Sequence, residues 1–321
     1  MLNSKLLDAF RIHTKAKILL DKTDLFAYST DATKEYCVPS AVVFPETESD
    51  VVEIVKFCNI NHIKLIPRGA GTSQVGGVVP THQGSIIMSF EKFDKILCDT
   101  DFDYNNGYVL VEPGIIPNEL NKFLKQKGYF FPVDPGSVKV CTIGGMINHG
   151  AGGNRAVKYG ITKDYILGLE IVLADGSILK TGILDSTPQR ERQLDLTNIF
   201  INSEGTLGII TKAAIKIYKT PQRKKVFLSY FKNLYDFDEA LRKIYMSSIE
   251  PTMLEFIDTA TLKCIFDDNP ALNNFALIIE LVGTSRTFER REKKLQTLLK
   301  QSGAVSIEVA TSEDDIEKIM E

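Results

Sequence analysis

The sequence is poor in the residues that build metal centres and disulfide frames. Its five cysteines, at positions 37, 58, 98, 141 and 264, stand far apart and form no CxxC pair. That spacing argues against a zinc knuckle or a disulfide scaffold and suits reduced thiols. The four histidines, at 13, 62, 82 and 149, share no ligand spacing, and none follows His149; no metal site is expected. No run of 18 apolar residues occurs, so no integral membrane segment is expected. The opening stretch MLNSKLLDAFRIHTK lacks a long apolar core and a small-residue cleavage site, which predicts a cytoplasmic protein. Basic residues are not in excess either. Lys and Arg total 38 against 41 Asp and Glu, a net charge of −3, and no nucleic-acid partner is expected.

Glycine is concentrated. Of 22 glycines, half fall in three short windows: PRGAGTSQVGG (67–77), IGGMINHGAGG (143–153) and EGTLG (204–208). Isolated glycines mark turns. Three dense windows, each beside a strand-like run, point instead to a long ligand lying on bare backbone, because glycine lets a phosphate or a ring approach without meeting Cβ.

The first window follows a strand–helix–strand pattern. AVVFP (41–45) reads as a buried strand, and SDVVEIVKFCNIN (49–61) places Val51, Ile54, Val55 and Cys58 on one helical face. Thr47 with Asp50 gives the helix-start signal, and IKLIP (63–67) reads as the second strand. Exposed N–H groups in such units often meet phosphate. The window is not a P-loop, because Gly77-Val78 stands where Lys-Ser/Thr is required. It is not the Rossmann fingerprint, because Gly69-Ala-Gly71 leads into loop and strand rather than a helix.

Four motifs in order, PRGAGTSQVGG, DPGSVKVCTIGGMINHGAGG, KYG…LGLEIVLADGSIL and FINSEGTLGIIT, give the chain a resemblance to the FAD-linked oxidases of the vanillyl-alcohol oxidase type. Within them it is most similar to the glycolate oxidase FAD subunit and to D-lactate and D-2-hydroxyglutarate dehydrogenases. The resemblance implies an α+β fold: a two-subdomain FAD-binding domain over 1–220, with its motif core at 39–220, and a partial α+β substrate cap over 221–321. It implies non-covalent FAD. Pro67, Arg68, Gly69, Ala70, Gly71, Thr72, Ser73, Gly76 and Gly77 would wrap the pyrophosphate. Pro135, Gly136 and Ser137 would lie along the cofactor, and Thr142, Ile143, Gly144 and Gly145 would pass beside the flavin. Gly150, Ala151, Gly152 and Gly153 would continue that wall. Glu204, Gly205, Gly208, Ile209 and Ile210 would border the adenosine half.

The resemblance also implies a substrate, a small 2-hydroxy acid losing hydride from Cα to flavin N5, and possible electron-transfer partner subunits, with a place in the cytoplasm or peripheral to the inner membrane. Two alternatives stay open: an FAD oxidase of a sugar or aldonolactone, and a flavin-binding subunit or fragment without turnover of its own. The fragment alternative follows from an expectation that the chain ends within the cap, before a histidine-rich segment that carries the base in relatives. No catalytic residue is assigned. His149 reads as a structural hydrogen bonder, and Lys158 and Tyr159 fall near the expected active face.

The chain departs from the family pattern in GMINHG (145–150), where relatives usually carry a polar residue, and in GILDSTPQRERQLDL (182–196), which lacks a glycine–tyrosine pair before Asp195-Leu196. Asp175-Gly176 predicts a hairpin turn. QRKKV after Pro221 reads as a solvated linker. Strands at 225–231, 252–257, 275–282 and 304–309 alternate with helices at 234–248, 258–267, 285–301 and from 312. The charges of 289–294 read as a solvated helix face.

Overall fold

The computed structural model describes residues 4–97, 106–187, 194–265 and 274–320. The chain folds as two units: Met1–Ala151 with Ile161–Lys219, and Gly152–Gly160 with Thr220–Glu321.

The first unit holds two four-stranded sheets. One has the order β1-β2-β4-β3, built from β1 (Lys17–Leu19), β2 (Ala41–Phe44), β3 (Leu65–Arg68) and β4 (Ile86–Ser89). β2 and β3 both run parallel to β4, and β1 is antiparallel to β2. Every residue of β2 and β4 is buried, as their near-continuous apolar sequences require of a parallel sheet covered on both faces. Helices α1 (Ser4–His13), α2 (Lys22–Ala27) and α3 (Glu48–Ile60) belong to this part. The Thr47–Asp50 signal closes as a capping box: Thr47 Oγ1 accepts from Asp50 N at 3.1 Å, and Asp50 Oδ2 accepts from Thr47 N at 2.9 Å. The α3 face of Val51, Ile54, Val55 and Cys58 joins Phe10 of α1, Val43, Ile86 and Met88 in one core.

The second sheet is antiparallel, in the order β5-β9-β7-β8, from β5 (Tyr108–Val111), β7 (Ile166–Val172), β8 (Ile178–Lys180) and β9 (Ile209–Lys216). The predicted hairpin turns at Asp175-Gly176, where Gly176 has φ 80°. A short ribbon pairs β6 (Tyr129–Phe130) with β10 (Tyr218–Lys219). Helices α4 (Pro117–Gln126) and α5 (Ile143–His149) complete the unit with single turns.

The second unit is one antiparallel sheet, β12-β13-β11-β14, made of β11 (Arg223–Phe231), β12 (Met253–Ile257), β13 (Phe275–Gly283) and β14 (Ser306–Ala310). Its helices are α6 (Leu234–Tyr245), α7 (Thr259–Ile265), α8 (Ser285–Gln301) and α9 (Glu313–Met320). One side packs Phe227, Phe231, Leu277, Ile279 and Leu281 against Phe237 and Ile244 of α6 and Phe288, Leu295 and Leu299 of α8. The other side carries Val226, Met253 and Ile278 beneath Ile316 of α9.

Glu280 stands among these last residues, 1% exposed. Its carboxylate accepts from Arg155 Nε at 2.9 Å and Nη2 at 3.1 Å, and pairs with Lys224 Nζ at 2.9 Å. A buried charge needs such partners. The basic patch read as a linker is therefore a strand: Lys224 serves Glu280, and Lys225 reaches Glu292 at 2.6 Å. The charged face of α8 is solvated only in part. Arg291 donates to the backbone oxygens of Ile249, Val282 and Glu250 at 2.7–2.9 Å, tying the helix to neighbouring segments. The last residues of the helix expected at 258–267, Cys98, and 188–193 of the unusual 182–196 stretch lie outside the described residues.

Candidate functional site

The first glycine window begins where β3 ends. Arg68 closes the strand, and its oxygen accepts from Phe90 N at 3.0 Å. Beyond it the backbone leaves the sheet. Among the described residues, the N–H groups of Gly69, Ala70, Gly71, Thr72 and Ser73 find no hydrogen-bond acceptor, so five consecutive donors are open to a ligand. The loop is held from the side by the 28–33 segment. Ser73 O accepts from Ala32 N at 3.0 Å, and Asp31 Oδ2 accepts from Gly76 N at 3.0 Å. Asp31 is itself fixed by Thr33, through its backbone N at 2.8 Å and its hydroxyl at 2.6 Å.

Arg68 is 7% exposed, and its Nη1 has no hydrogen-bond partner. Its guanidinium lies 5.7 Å from the Tyr28 ring centroid and against Gly71, whose φ of 70° and lack of a side chain leave room for it. Burial draws the guanidinium pKa down, opposed by Asp31, Tyr28 and Glu91. Tyr28 donates to Glu91 Oε1 at 2.9 Å. Burial and that bond push its phenol up to about 12. A buried cation with an unused donor beside five unused backbone donors is a site made for an anion.

The second window forms α5 and its approach. Pro135–Cys141 is a series of turns in which Ser137 O accepts from Val140 N and Cys141 N at 2.8 Å. Thr142 caps the helix, accepting from Gly145 N at 3.2 Å. Ile143 N and Gly144 N are already bonded, to Ile115 O at 2.9 Å and Pro113 O at 2.7 Å. Gly144 is packed on Pro113, whose Cβ an added Cβ would meet at 2.6 Å. Side chains are excluded there by the protein itself.

The third window follows the single turn Thr197–Phe200. Asn202, two residues before it, and its own Glu204 and Gly205 all take left-handed backbone, with φ 60°, 51° and 72°. Gly208 lies against Ile171 and Val172, and Ile209 and Ile210 are buried at the start of β9.

These windows, far apart in sequence, meet. Gly69 sits where a Cβ would strike the Thr142 hydroxyl. A Cβ on Gly77 would meet Glu204 Oε2 at 2.9 Å, and one on Gly205 would meet Pro67 Cγ at 2.7 Å. Gly150 leaves space filled by the Asn202 side chain. His149 Nδ1 lies 2.8 Å from Glu204 Oε1. Asn148 Oδ1 accepts from Gly205 N at 3.2 Å, and Asn148 O accepts from Glu204 N at 3.0 Å. The structural role read for His149 is thus filled by Glu204.

Gly152 and Gly153 fall in the segment that folds with the second unit. Lys158 also belongs there, with Nζ 5.5 Å from the Tyr159 ring centroid. Asp31 lies outside every motif, and Asn148 and Asn202 lie inside the second and fourth motifs without being singled out there; an unusual conformation or a long-range contact reveals them. Among the described residues no group of three or more His, Cys, Asp or Glu side chains is placed to hold a metal ion. No helix there is long and apolar enough to cross a membrane.

Residues 39–182 match the FAD-binding domain family, and residues 220–321 match the C-terminal domain of FAD-linked oxidases. The chain belongs to the FAD-linked oxidases. Its cofactor is FAD, and its fold is of the vanillyl-alcohol oxidase type. It is 37% identical over 293 residues to the glycolate oxidase subunit GlcD of Bacillus subtilis, covering 90% of this chain and 61% of that protein. It is 32% identical over 282 residues to a probable mitochondrial D-lactate dehydrogenase of Danio rerio, covering 86% of this chain and 55% of that one. The chain thus spans less than two thirds of the length of either relative. In fold it is similar to an alkyldihydroxyacetonephosphate synthase (TM-score 0.85, 21% identity, 99% of this chain and 64% of that one). It is also similar to p-cresol methylhydroxylase (TM-score 0.76, 21% identity, 97% and 66%).

The residues at the meeting point of the windows suit FAD. A pyrophosphate needs oriented N–H groups and a cation, and the orphaned Arg68 Nη1 and the open 69–73 amides have that chemistry.

Proposed function

We propose that this chain supplies the FAD-binding domain (1–220) and substrate-cap residues (221–321) of a dehydrogenase acting on a small 2-hydroxy acid of the glycolate or D-lactate class. The observation that carries the reading is the convergence of the three glycine windows beside an unpaired, buried Arg68. The likeness to a glycolate oxidase subunit and to a probable D-lactate dehydrogenase supports the substrate class.

In this reading Pro67, Arg68, Gly69, Ala70, Gly71, Thr72, Ser73, Gly76 and Gly77 hold the pyrophosphate, with Arg68 and the open amides offsetting its charge. Pro135, Gly136, Ser137, Thr142, Ile143, Gly144, Gly145, Gly150 and Ala151 form the wall beside the ring and ribityl chain, and Gly152 and Gly153 extend it. Glu204, Gly205, Gly208, Ile209 and Ile210 support the adenosine end. Bound FAD supplies the two-electron acceptor for hydride leaving substrate Cα. The cofactor is held without a covalent bond, since the 67–77 loop offers neither histidine nor cysteine. Partner subunits that carry electrons onward, and a cytoplasmic or membrane-peripheral place, fit the likeness to a glycolate oxidase subunit.

The test is anaerobic dye reduction by the FAD-loaded protein with glycolate, D-lactate, D-2-hydroxyglutarate and an aldonolactone. Turnover restricted to 2-hydroxy acids is expected. Turnover with the lactone alone would overturn the substrate class.

A further inference from the structure

The turn 202–205 is the most unusual backbone of the first unit. Among the described residues of the chain only four non-glycine residues have positive φ, and two of them, Asn202 and Glu204, are here. Sequences rarely keep side chains in the left-handed region unless the side chain is used. Glu204 is used, since its carboxylate holds His149 and closes on Gly77. Asn202 shows no such internal use. Its backbone N–H donates to Ile147 O at 3.1 Å. Its side-chain amide has no hydrogen-bond partner among the described residues. The residue is exposed, and its amide stands in the space left bare by Gly150, against the second glycine window. Glycine at 202 would suit the turn; asparagine adds a methylene and, at its end, the amide.

We propose that Asn202 is a cofactor-binding residue, its side-chain NH₂ donating to an oxygen of FAD. The proposal rests on the placement of FAD at the meeting point of the glycine windows. Asparagine suits the position on two counts. It tolerates left-handed backbone better than other side chains, and its amide presents donors without adding negative charge beside a phosphate. The Gly150–Asn202 contact makes this place for a polar group: residue 150 has no side chain, and residue 202 supplies one from across the gap.

The test compares FAD affinity and apo-protein melting for three variants. Asn202→Gly suits the left-handed backbone and removes the whole side chain, Cβ and amide together. Asn202→Ala removes the amide and keeps Cβ. Asn202→Asp keeps the shape and replaces the donor by an anion. Expected are an apo melting temperature for Asn202→Gly no lower than wild type, and FAD dissociation constants raised about 3- to 10-fold in Asn202→Gly and Asn202→Ala, the loss of one neutral hydrogen bond. A larger loss is expected in Asn202→Asp. Wild-type affinity in both the glycine and alanine variants would overturn the role of Asn202, and tighter binding by Asn202→Asp would overturn the direction of the bond. Failure of the wild-type protein to bind FAD would instead refute the cofactor placement.

Discussion

Arg68 is buried, charged and short of one partner. Leaving a guanidinium donor unmet inside a protein costs free energy unless a ligand meets it. Arg68→Met keeps the bulk of the stem and removes the donors. It should raise the FAD dissociation constant about 10- to 100-fold, the range for a hydrogen bond to a charged group, while the control Lys293→Ala leaves it unchanged. Fluorescence titration of both variants checks this, and equal affinity would remove Arg68 from the site. The cysteines also separate by position. Cys264 is exposed and Cys37 half-buried. Burial pushes the Cys58 thiol up to about 12 and raises Cys141 as well. The thiolate is the reactive form, so among the four described cysteines a thiol reagent at neutral pH, read by peptide mass mapping, should modify Cys264 first and Cys37 more slowly. Cys58 and Cys141 should stay unmodified until the protein unfolds.

At the scale of elements, most of the fold is legible in the sequence. The α3 face, its capping box, the Asp175-Gly176 hairpin and the alternating elements after Pro221 follow from periodicity and turn chemistry. What escapes is set by distance along the chain. The QRKKV patch looks solvated because nothing nearby shows that Glu280 and Glu292, more than fifty residues on, neutralise Lys224 and Lys225. The glycine windows are visible as composition, but their meeting is a tertiary fact; Asp31 carries no motif, and nothing in their motifs singles out Asn148 and Asn202.

The Glu280 cluster gives this scale its own prediction. Burial alone would raise the Glu280 pKa, but Arg155 and Lys224 outweigh it, and the folded-state value lies below the ordinary 4.5. A carboxylate with a depressed folded pKa stabilises the fold above its unfolded pKa, and that contribution fades as pH falls through the folded value. Melting temperature should therefore fall as pH drops below about 4.5. Glu280→Gln should be less stable at pH 7, by about 3–5 kcal/mol for a broken buried pair, and its pH profile below 4.5 should be flatter. A steeper acid dependence in the variant would contradict the assignment.

At the scale of the whole molecule, two family domains lie in sequence on one chain, and the residues proposed to hold FAD lie in the first unit except Gly152 and Gly153. Binding stabilises the state that binds: FAD at 100 times its dissociation constant should add about 2.7 kcal/mol to the unit that holds it, visible as a rise in its melting transition. Acid precipitation should release the yellow colour into the supernatant, since the flavin is proposed to be non-covalent. Colour left in the denatured pellet would contradict that attachment.

The central claim is that the three glycine windows converge to hold FAD, and Gly69 is where it is most exposed to test. A side chain at 69 would drive into Thr142 and separate the first window from the second. Titration of the purified chain with FAD, followed by quenching of flavin fluorescence, should give saturable binding with one FAD per chain. Gly69→Leu should abolish that binding while the far-ultraviolet circular dichroism is retained. Equal affinity in Gly69→Leu and wild type, or no binding by a folded wild-type chain, would contradict the account.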